Sequence, residues 1–322
     1  LSRTPLLQLT SAGLYCEAGD FYIDPSKPVN KAIITHGHGD HARPGMTSYL
    51  CAPDSKAILH HRIGAKAKIE TLDYQTSIKL KDVTVSFFPA GHILGSVQVR
   101  VEHQGEVWVF SGDYKTESDK TCKAFEPVPC HTFITESTFA LPIYRWAREE
   151  QVFNEMNQWW KKNQEEQRCS VIYAYSLGKA QRLLAGINEL QGPIYTHSSI
   201  ITMNECYLQN GISLPKTIDI QETSETNFSN ALLIVPPSSP SATWFQKIGN
   251  YADAFASGWM AVRANRRTQK LDKGFTLSDH ADWDSILKTI KDTQCEEVII
   301  THGYTDILAK YLTETGMNAR VF

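Results

Sequence analysis

The stretch Ala32-Ile-Ile-Thr-His-Gly-His-Gly-Asp-His-Ala42 sets His36, His38, Asp40 and His41 within six residues, directly after a short apolar run. Imidazole and carboxylate side chains suit zinc, manganese or iron at an open, reactive site. In an extended segment residues i and i+2 point the same way, so His36 and His38 can reach one ion. Asp40 and His41 follow as the chain turns and can reach a second ion nearby. Gly37 and Gly39 let the backbone bend between the ligands. Three further candidates sit after apolar runs: His92 in Pro89-Ala-Gly-His-Ile-Leu-Gly-Ser96, Asp113 in Phe110-Ser-Gly-Asp-Tyr114, and His302 in Ile299-Ile-Thr-His-Gly303. A lone histidine at a strand end is usually a satisfied structural residue. Four such clusters in one chain argue for shared work.

The elements that must position these residues change character along the chain. Up to about residue 145 short strands dominate. Residues 77–88 alternate, with Val83, Val85 and Phe87 on one face, and residues 96–102 and 106–110 flank a hairpin turn at His103-Gln-Gly105. A helix fits 54–63, capped by Asp54 or Ser55. Residues 148–167 then read as a helix whose apolar stripe includes Val152, Phe153, Met156, Trp159 and Trp160, core rather than base-stacking positions. Beyond it strands near 170–175, 193–197, 231–235 and 253–257 alternate with helices near 179–190, 199–209 and 242–249. That alternation predicts a mostly parallel α/β sheet. Residues 210–230 read as loop. The chain closes with strand 274–277, helix 283–292, strand 297–301 and helix 306–315.

Bulk properties set the frame. A chain of 322 residues suits two compact units or one domain with a large insertion. No apolar stretch approaches the ~20 residues needed to span a bilayer, and no signal-peptide pattern opens the chain. Seven scattered cysteines without a CxxC pair suit a reduced, cytoplasmic protein. A net charge of −3 gives no global basic field for nucleic acid, so a polyanion site must be a local patch or be supplied by metal.

His36-Gly-His-Gly-Asp-His41 resembles the HxHxDH signature of the metallo-β-lactamase fold, and His92, Asp113 and His302 match its later ligand positions in order. Asp24, in Phe21-Tyr-Ile-Asp24, looks like the early aspartate that supports those ligands. The resemblance implies an α/β fold, an αββα sandwich with two divalent metal ions, zinc first and manganese as the alternative. Carried over, His36, His38 and His92 hold one ion, Asp40, His41 and His302 the other, and Asp113 bridges them. Thr135-Glu-Ser-Thr138 and Leu277-Ser-Asp-His-Ala-Asp282 are similar to the acidic and histidine motifs of the nuclease branch with a β-CASP insertion, giving roles to Glu136 and His280. Ser176-Leu-Gly-Lys-Ala-Gln-Arg182 resembles the start of a helix typical of that insertion. The implied boundaries are a catalytic domain at 1–147 and 274–322 and a β-CASP-like cap at 148–273.

Within that branch, Gly13-Leu-Tyr-Cys-Glu-Ala-Gly-Asp-Phe-Tyr-Ile-Asp-Pro25 and Ala256-Ser-Gly-Trp-Met-Ala261 look most like the bacterial DNA-ligase-associated exonucleases. This implies a DNA exonuclease of DNA repair, with an ATP-dependent DNA ligase and a helicase as functional partners and no membrane. Two features depart from relatives: Gly39 stands where Ser, Ala or Leu is common, and His302 resembles the RNA-type branch. In the implied mechanism a hydroxide oriented by Asp40 attacks phosphorus, His280 assists the leaving group, and Glu136 orients His280 or His302. Arg263, Arg266, Arg267 and Lys270 form a basic run suited to a phosphate backbone, and Ser176 and Lys179 open a helix where an anion is favoured. The alternatives are an RNA-processing ribonuclease, a small-molecule thioester or lactone hydrolase, and an inactive scaffold. The hydrolase leaves the 143 residues between Glu136 and His280 without a role, and the scaffold conflicts with a complete ligand set.

Overall fold

The computed structural model describes residues 5–268 and 270–322, with only the backbone described at 265–267. The chain divides into two compact units, one running to Pro142 and resuming at His280, the other spanning Ile143–Asp279.

The first unit contains two sheets. One has six strands in the order Gln8–Thr10, Gly13–Cys16, Phe21–Ile23, Lys31–Ile33, Ser48–Cys51 and Ile69–Thr71. The other has seven, in the order Asn318–Val321, Glu297–Gly303, Thr132–Ser137, Glu106–Phe110, Val97–His103, Val83–Pro89 and Ser77–Leu80. The period of two along each strand assigns its side chains to different layers. Ile33, Trp108, Phe110, Ile134 and Ile299 enter the core between the sheets, with Val85, Phe87, Val99 and Val101. Their neighbours Val109, Phe133, Val298 and Ile300 face outward against helices Trp283–Asp292 and Thr305–Glu314. Ala32, Ile34 and Cys51 pack on the opposite outer side with Leu59 of helix Lys56–Ile63. Helix, sheet, sheet and helix therefore follow one another, the αββα layering expected. Each fully buried aliphatic or aromatic side chain contributes about 1.5–3 kcal/mol through burial.

Local details follow the sequence closely at the hairpin, where Gln104 and Gly105 take φ of 50° and 82° and join antiparallel strands. The cap of helix Lys56–Ile63 differs from expectation. A 3-10 turn, Pro53–Ser55, precedes it, and the Ser55 hydroxyl donates to the Gly95 carbonyl at 3.1 Å instead of capping.

The second unit holds a six-stranded sheet in the order Ile218–Asp219, Ile194–Thr196, Leu232–Val235, Cys169–Tyr173, Tyr251–Ala256 and Lys273–Phe275, every pair parallel. Helices Glu149–Glu165 and Lys179–Gly186 cover one face through Val152, Phe153, Met156, Trp160, Leu183 and Leu184. Phe228, Phe245, Ile248 and Met260 cover the other. Trp160 is buried as the stripe requires, whereas Trp159 is half-buried. The expected helix near 242–249 is a 3-10 segment, Thr243–Ile248, and the basic run starts on a short helix, Arg263–Thr268, with Lys270 beyond its end. The junctions also differ from 147/148 and 273/274. Lys273–Phe275 pairs with Tyr251–Ala256, Leu277 packs in the same core, and Asp279 bonds to Lys179, so the second unit keeps the chain to Asp279. No helix among the described residues is long and apolar enough to cross a membrane.

Candidate metal centre

The candidate ligands all follow strands of the first unit. Lys31–Ile33 delivers His36 to His41, Val83–Pro89 delivers His92, Glu106–Phe110 delivers Asp113, and Glu297–Gly303 carries His302 one residue before its end. The connecting loops are pinned by close backbone approaches. A Cβ on Gly91, at φ +71°, would lie 2.2 Å from the Lys115 carbonyl oxygen. Gly303, at φ +88°, leaves no room either, its virtual Cβ lying 2.3 Å from the Ser137 carbonyl oxygen.

These loops bring His36, His38, His92 and Asp113 together, with one ligand atom of each within 4.8 Å of the others. His38 Nδ1 lies 3.1 Å from both His36 Nε2 and His92 Nε2. Asp113 Oδ2 lies 3.6 Å from His36 Nε2 and 3.8 Å from His92 Nε2. Asp113 Oδ2 also stands 3.6 Å from His41 Nε2, which is 3.7 Å from Asp40 Oδ2. Asp40 is 74% exposed at the open rim, and the exposed His302 ring stands 6.0 Å from that of His41. The second set is therefore more widely spaced than the first. Asp24 lies behind both, its Oδ2 accepting from His41 Nδ1 at 2.8 Å and from the Thr35 hydroxyl at 2.6 Å.

Electrostatics follows from this crowding. Burial, then the neighbouring His41, His92 and His38, holds His36 well below the ordinary histidine range. Burial also opposes charge on His41, but Asp113, Asp24 and Asp40 outweigh it and push its pKa up to about 10. Burial would raise Asp113, yet His41 and the surrounding histidines keep it below the usual carboxylate value. A cation bound beside Asp113 would displace the His41 proton, because imidazole ligates only when neutral.

The donor set fits a divalent ion. Four tetrahedral ligands on zinc at about 2.0–2.1 Å lie roughly 3.3–3.4 Å apart. The separations 3.1, 3.1, 3.6 and 3.8 Å in the first set bracket that value. Three nitrogens and one carboxylate oxygen match zinc or manganese better than magnesium or calcium, which prefer all-oxygen shells.

A second constellation shares Asp113: Asp113, Glu136 and His280 also bring ligand-type atoms within 4.8 Å of one another. Glu136 sits at a register irregularity between Thr132–Ser137 and Glu297–Gly303, and such bulges re-aim side chains. Both of its oxygens lie 2.9 Å from His280 Nδ1. Oε1 accepts from the Tyr114 amide at 2.8 Å and Oε2 from the Thr138 hydroxyl. Burial raises the Glu136 pKa, but His280 and these donors outweigh it and hold the carboxyl below its ordinary value. A carboxylate on Nδ1 fixes the proton there, leaving His280 Nε2 as the working nitrogen. The His280 ring lies 4.7 Å from that of His92 and 5.9 Å from that of Phe139.

The residues expected to contact substrate are spread through the second unit. Arg263 and Lys270 are exposed, while the Arg266 and Arg267 side chains lie outside the described residues. Ser176 shares a 2.8 Å hydrogen bond with Ser199. Lys179 corrects the expectation of an open anion site. It is 4% exposed, 2.9 Å from Asp279 Oδ1, and donates to the Leu277 carbonyl at 2.5 Å. The Gly178 amide at this helix start is already bonded to Gln181 Oε1 at 2.8 Å. Sequence reasoning gave no role of their own to Thr35, Arg182 or the fully buried Lys115, whose ammonium pairs with Asp119. What distinguishes such residues is a buried polar partner, and that becomes visible in three dimensions.

No family model matches the chain. It is 28% identical over 312 residues to a protein named Probable DNA ligase from Opitutus terrae, covering 96% of this chain and 30% of that protein. It is 26% identical over 193 residues to Endoribonuclease YSH1 of Gibberella zeae, covering 56% of this chain and 22% of that protein. Cleavage and polyadenylation specificity factor subunit 3 of Dictyostelium discoideum is 29% identical over 126 residues, 38% of this chain and 16% of that protein. The chain thus spans less than a third of each of these relatives. A solved structure of a protein of unknown function from Enterococcus faecalis superposes with a TM-score of 0.60 at 12% identity, covering 91% of this chain and 79% of that one.

Proposed function

We propose that this chain, a metallo-β-lactamase-fold protein with a β-CASP-type insertion, is a metal-dependent phosphodiesterase that hydrolyses nucleic acid. The first unit would be its catalytic domain and Ile143–Asp279 its insertion. The observation that carries the reading is one shared carboxylate. Asp113 belongs both to the His36, His38 and His92 donor set and to the Glu136 and His280 set. A metal-ligand cluster and an oriented proton carrier therefore converge on one point.

Two divalent ions held by His36, His38, His92, Asp113, Asp40, His41 and His302 would supply a water of lowered pKa and Lewis acidity toward phosphoryl oxygens. Asp40, exposed beside His41, orients the attacking water and accepts its proton. His280, with Nδ1–H bound to Glu136, presents Nε2 to the leaving oxygen and protonates it. Arg263 and Lys270 contribute cations for the nucleic-acid backbone.

DNA is the favoured substrate, supported by similarity across 96% of the chain to a protein named as a DNA ligase, and exonucleolytic cleavage is the favoured mode, resting on the sequence resemblance alone. That similarity also motivates a functional link to a DNA ligase. The second reading, an RNA-processing nuclease, draws on the relatives named as endoribonucleases. The test is cleavage of end-labelled single-stranded DNA, duplex DNA and RNA of one sequence by Zn²⁺- and Mn²⁺-loaded protein. His280→Ala serves as the control, with metal content measured alongside. A mononucleotide ladder on DNA alone, lost in the variant while metal is retained, is the expected result. Cleavage of RNA alone would select the second reading, and no cleavage of any strand would sink both.

A further inference from the structure

Thr35 immediately precedes the first histidine and is 1% exposed. Its amide donates to Asp24 Oδ1 at 2.8 Å, and its hydroxyl lies 2.6 Å from Asp24 Oδ2 and 3.1 Å from His36 Nδ1. A hydroxyl has one proton to give, and a carboxylate can only accept. The proton therefore goes to Asp24, and the bond to His36 must run the other way, from Nδ1–H to the hydroxyl oxygen. That leaves the lone pair of His36 on Nε2, the nitrogen 3.1 Å from His38 and 3.6 Å from Asp113.

The same Asp24 Oδ2 accepts from His41 Nδ1 at 2.8 Å, which turns His41 Nε2 toward Asp113 at the same 3.6 Å. Thr35 also touches the other ligand-bearing segments. Its carbonyl accepts from the Val97 amide at 2.9 Å, where the chain leaves the His92 loop. A Cβ on Gly112, the residue before Asp113, would lie 3.0 Å from Thr35 Cβ.

We propose that Thr35 is a positioning residue of the metal centre. Its hydroxyl relays the orientation imposed by Asp24 to His36, so that one carboxylate oxygen fixes two ligands, His41 directly and His36 through the relay. The inference rests on the reading of the cluster as a metal centre. Side chains that orient a ligand in this way typically change metal affinity by about 10–100-fold.

The experiment compares this chain as wild type, Thr35→Val and Thr35→Ser by Zn²⁺ titration against a chromophoric chelator. Long-range ¹H–¹⁵N correlation of the metal-stripped proteins locates the His36 ring proton. The relay predicts that wild type and Thr35→Ser carry it on Nδ1. In Thr35→Val that assignment is lost and one Zn²⁺ site weakens by about 10–100-fold, while Thr35→Ser binds as wild type does. A wild-type proton on Nε2 overturns the relay without any variant, which covers the case of a valine variant that fails to fold. Unchanged Zn²⁺ affinity in Thr35→Val, or weakened affinity with the proton still on Nδ1, overturns it as well. Wild type that binds no Zn²⁺ would instead refute the metal reading, and the ring spectra would still decide the relay.

Discussion

His38 Nδ1 stands 3.1 Å from two other ring nitrogens, whereas Lys179 Nζ stands 2.9 Å from the carboxylate of Asp279. Both belong to clusters of polar side chains placed where water is scarce, but the chemistry differs. In the first, imidazoles and a carboxylate turn lone pairs toward a common centre, and burial together with the neighbouring histidines suppresses protonation of His36. In the second, Lys179 and Arg182 meet Asp279 and Glu149, with Arg182 3.1 Å from Asp279 and 2.6 Å from Glu149. Convergent lone pairs in a buried site leave room for a cation to complete them. Opposite charges in a buried site already complete one another and organise the chain around them. Burial of polar groups alone would not separate a ligand site from a structural one; the sign and direction of the buried groups do.

The largest effect expected from this contrast is stabilisation by metal. If Zn²⁺ completes the first cluster, free Zn²⁺ at a thousand times its Kd should add about 4 kcal/mol to folding stability. That shift should be read as a higher urea midpoint and should be much reduced in His92→Ala. A midpoint indifferent to Zn²⁺ would erase the distinction between the clusters.

Next in size is the second cluster. Lys179→Met leaves Asp279 buried with its charge incompletely matched, and removing one partner of such a pair costs about 3 kcal/mol. Replacing both, as Lys179→Met with Asp279→Asn, should recover part of that loss. Neither change should alter Zn²⁺ affinity. A Lys179→Met protein as stable as wild type, yet weak in nucleic-acid binding, would return Lys179 to the anion-binding role read from its helix position.

Glu136→Gln probes the point where the carboxylate-histidine pair meets Asp113. The amide can still accept from His280 Nδ1, but it lacks the charge that steadies a protonated ring. Loss of such a supporting carboxylate should lower kcat by about 10–100-fold, with KM and bound metal little changed. The pH dependence has a definite sign. Glu136 has a depressed pKa in the folded protein, so its contribution to stability is present above the ordinary carboxylate value. It is lost as pH falls through the depressed one. Glu136→Gln should lack that acid limb in a plot of urea midpoint against pH. An identical limb in both proteins would assign it to other carboxylates.

The sequence exposed the first cluster more readily than the second for physical reasons. His36, His38, Asp40, His41, His92, Asp113 and His302 are ligand-type residues placed after apolar strands, and spacing alone brings several within reach. The alternation of Val83, Val85 and Phe87 likewise carries over into a strand facing the inter-sheet core. Thr35 was hidden because a hydroxyl has many local uses, and its relay depends on where the Asp24 side chain turns. The pairing of Lys179 was hidden because its partner, Asp279, is far away in sequence, and an open helix start looks the same on paper as an occupied one. The compact unit runs on to Asp279, past the boundary expected at 273, for a related reason. Nothing in residues 274–279 announces that Leu277 packs in one core while the next ring, His280, bonds to Glu136.

The smallest expected effect tests the exposed counterpart of Lys179. Arg263 carries the same sign of charge in the same unit, but it is exposed at the start of a short helix. Its removal leaves no buried charge unmatched, so Arg263→Ala should leave the urea midpoint where it was. If the guanidinium meets a phosphate, binding of the substrate strand should weaken modestly for every sequence. The slope of log K against log salt should then become shallower by about 1, as one fewer counterion is released. Lys179→Met should show the reverse pattern, a stability loss with the salt slope intact. A slope unchanged in Arg263→Ala would remove Arg263 from the nucleic-acid contact and leave the phosphate-binding surface to be sought elsewhere on the chain.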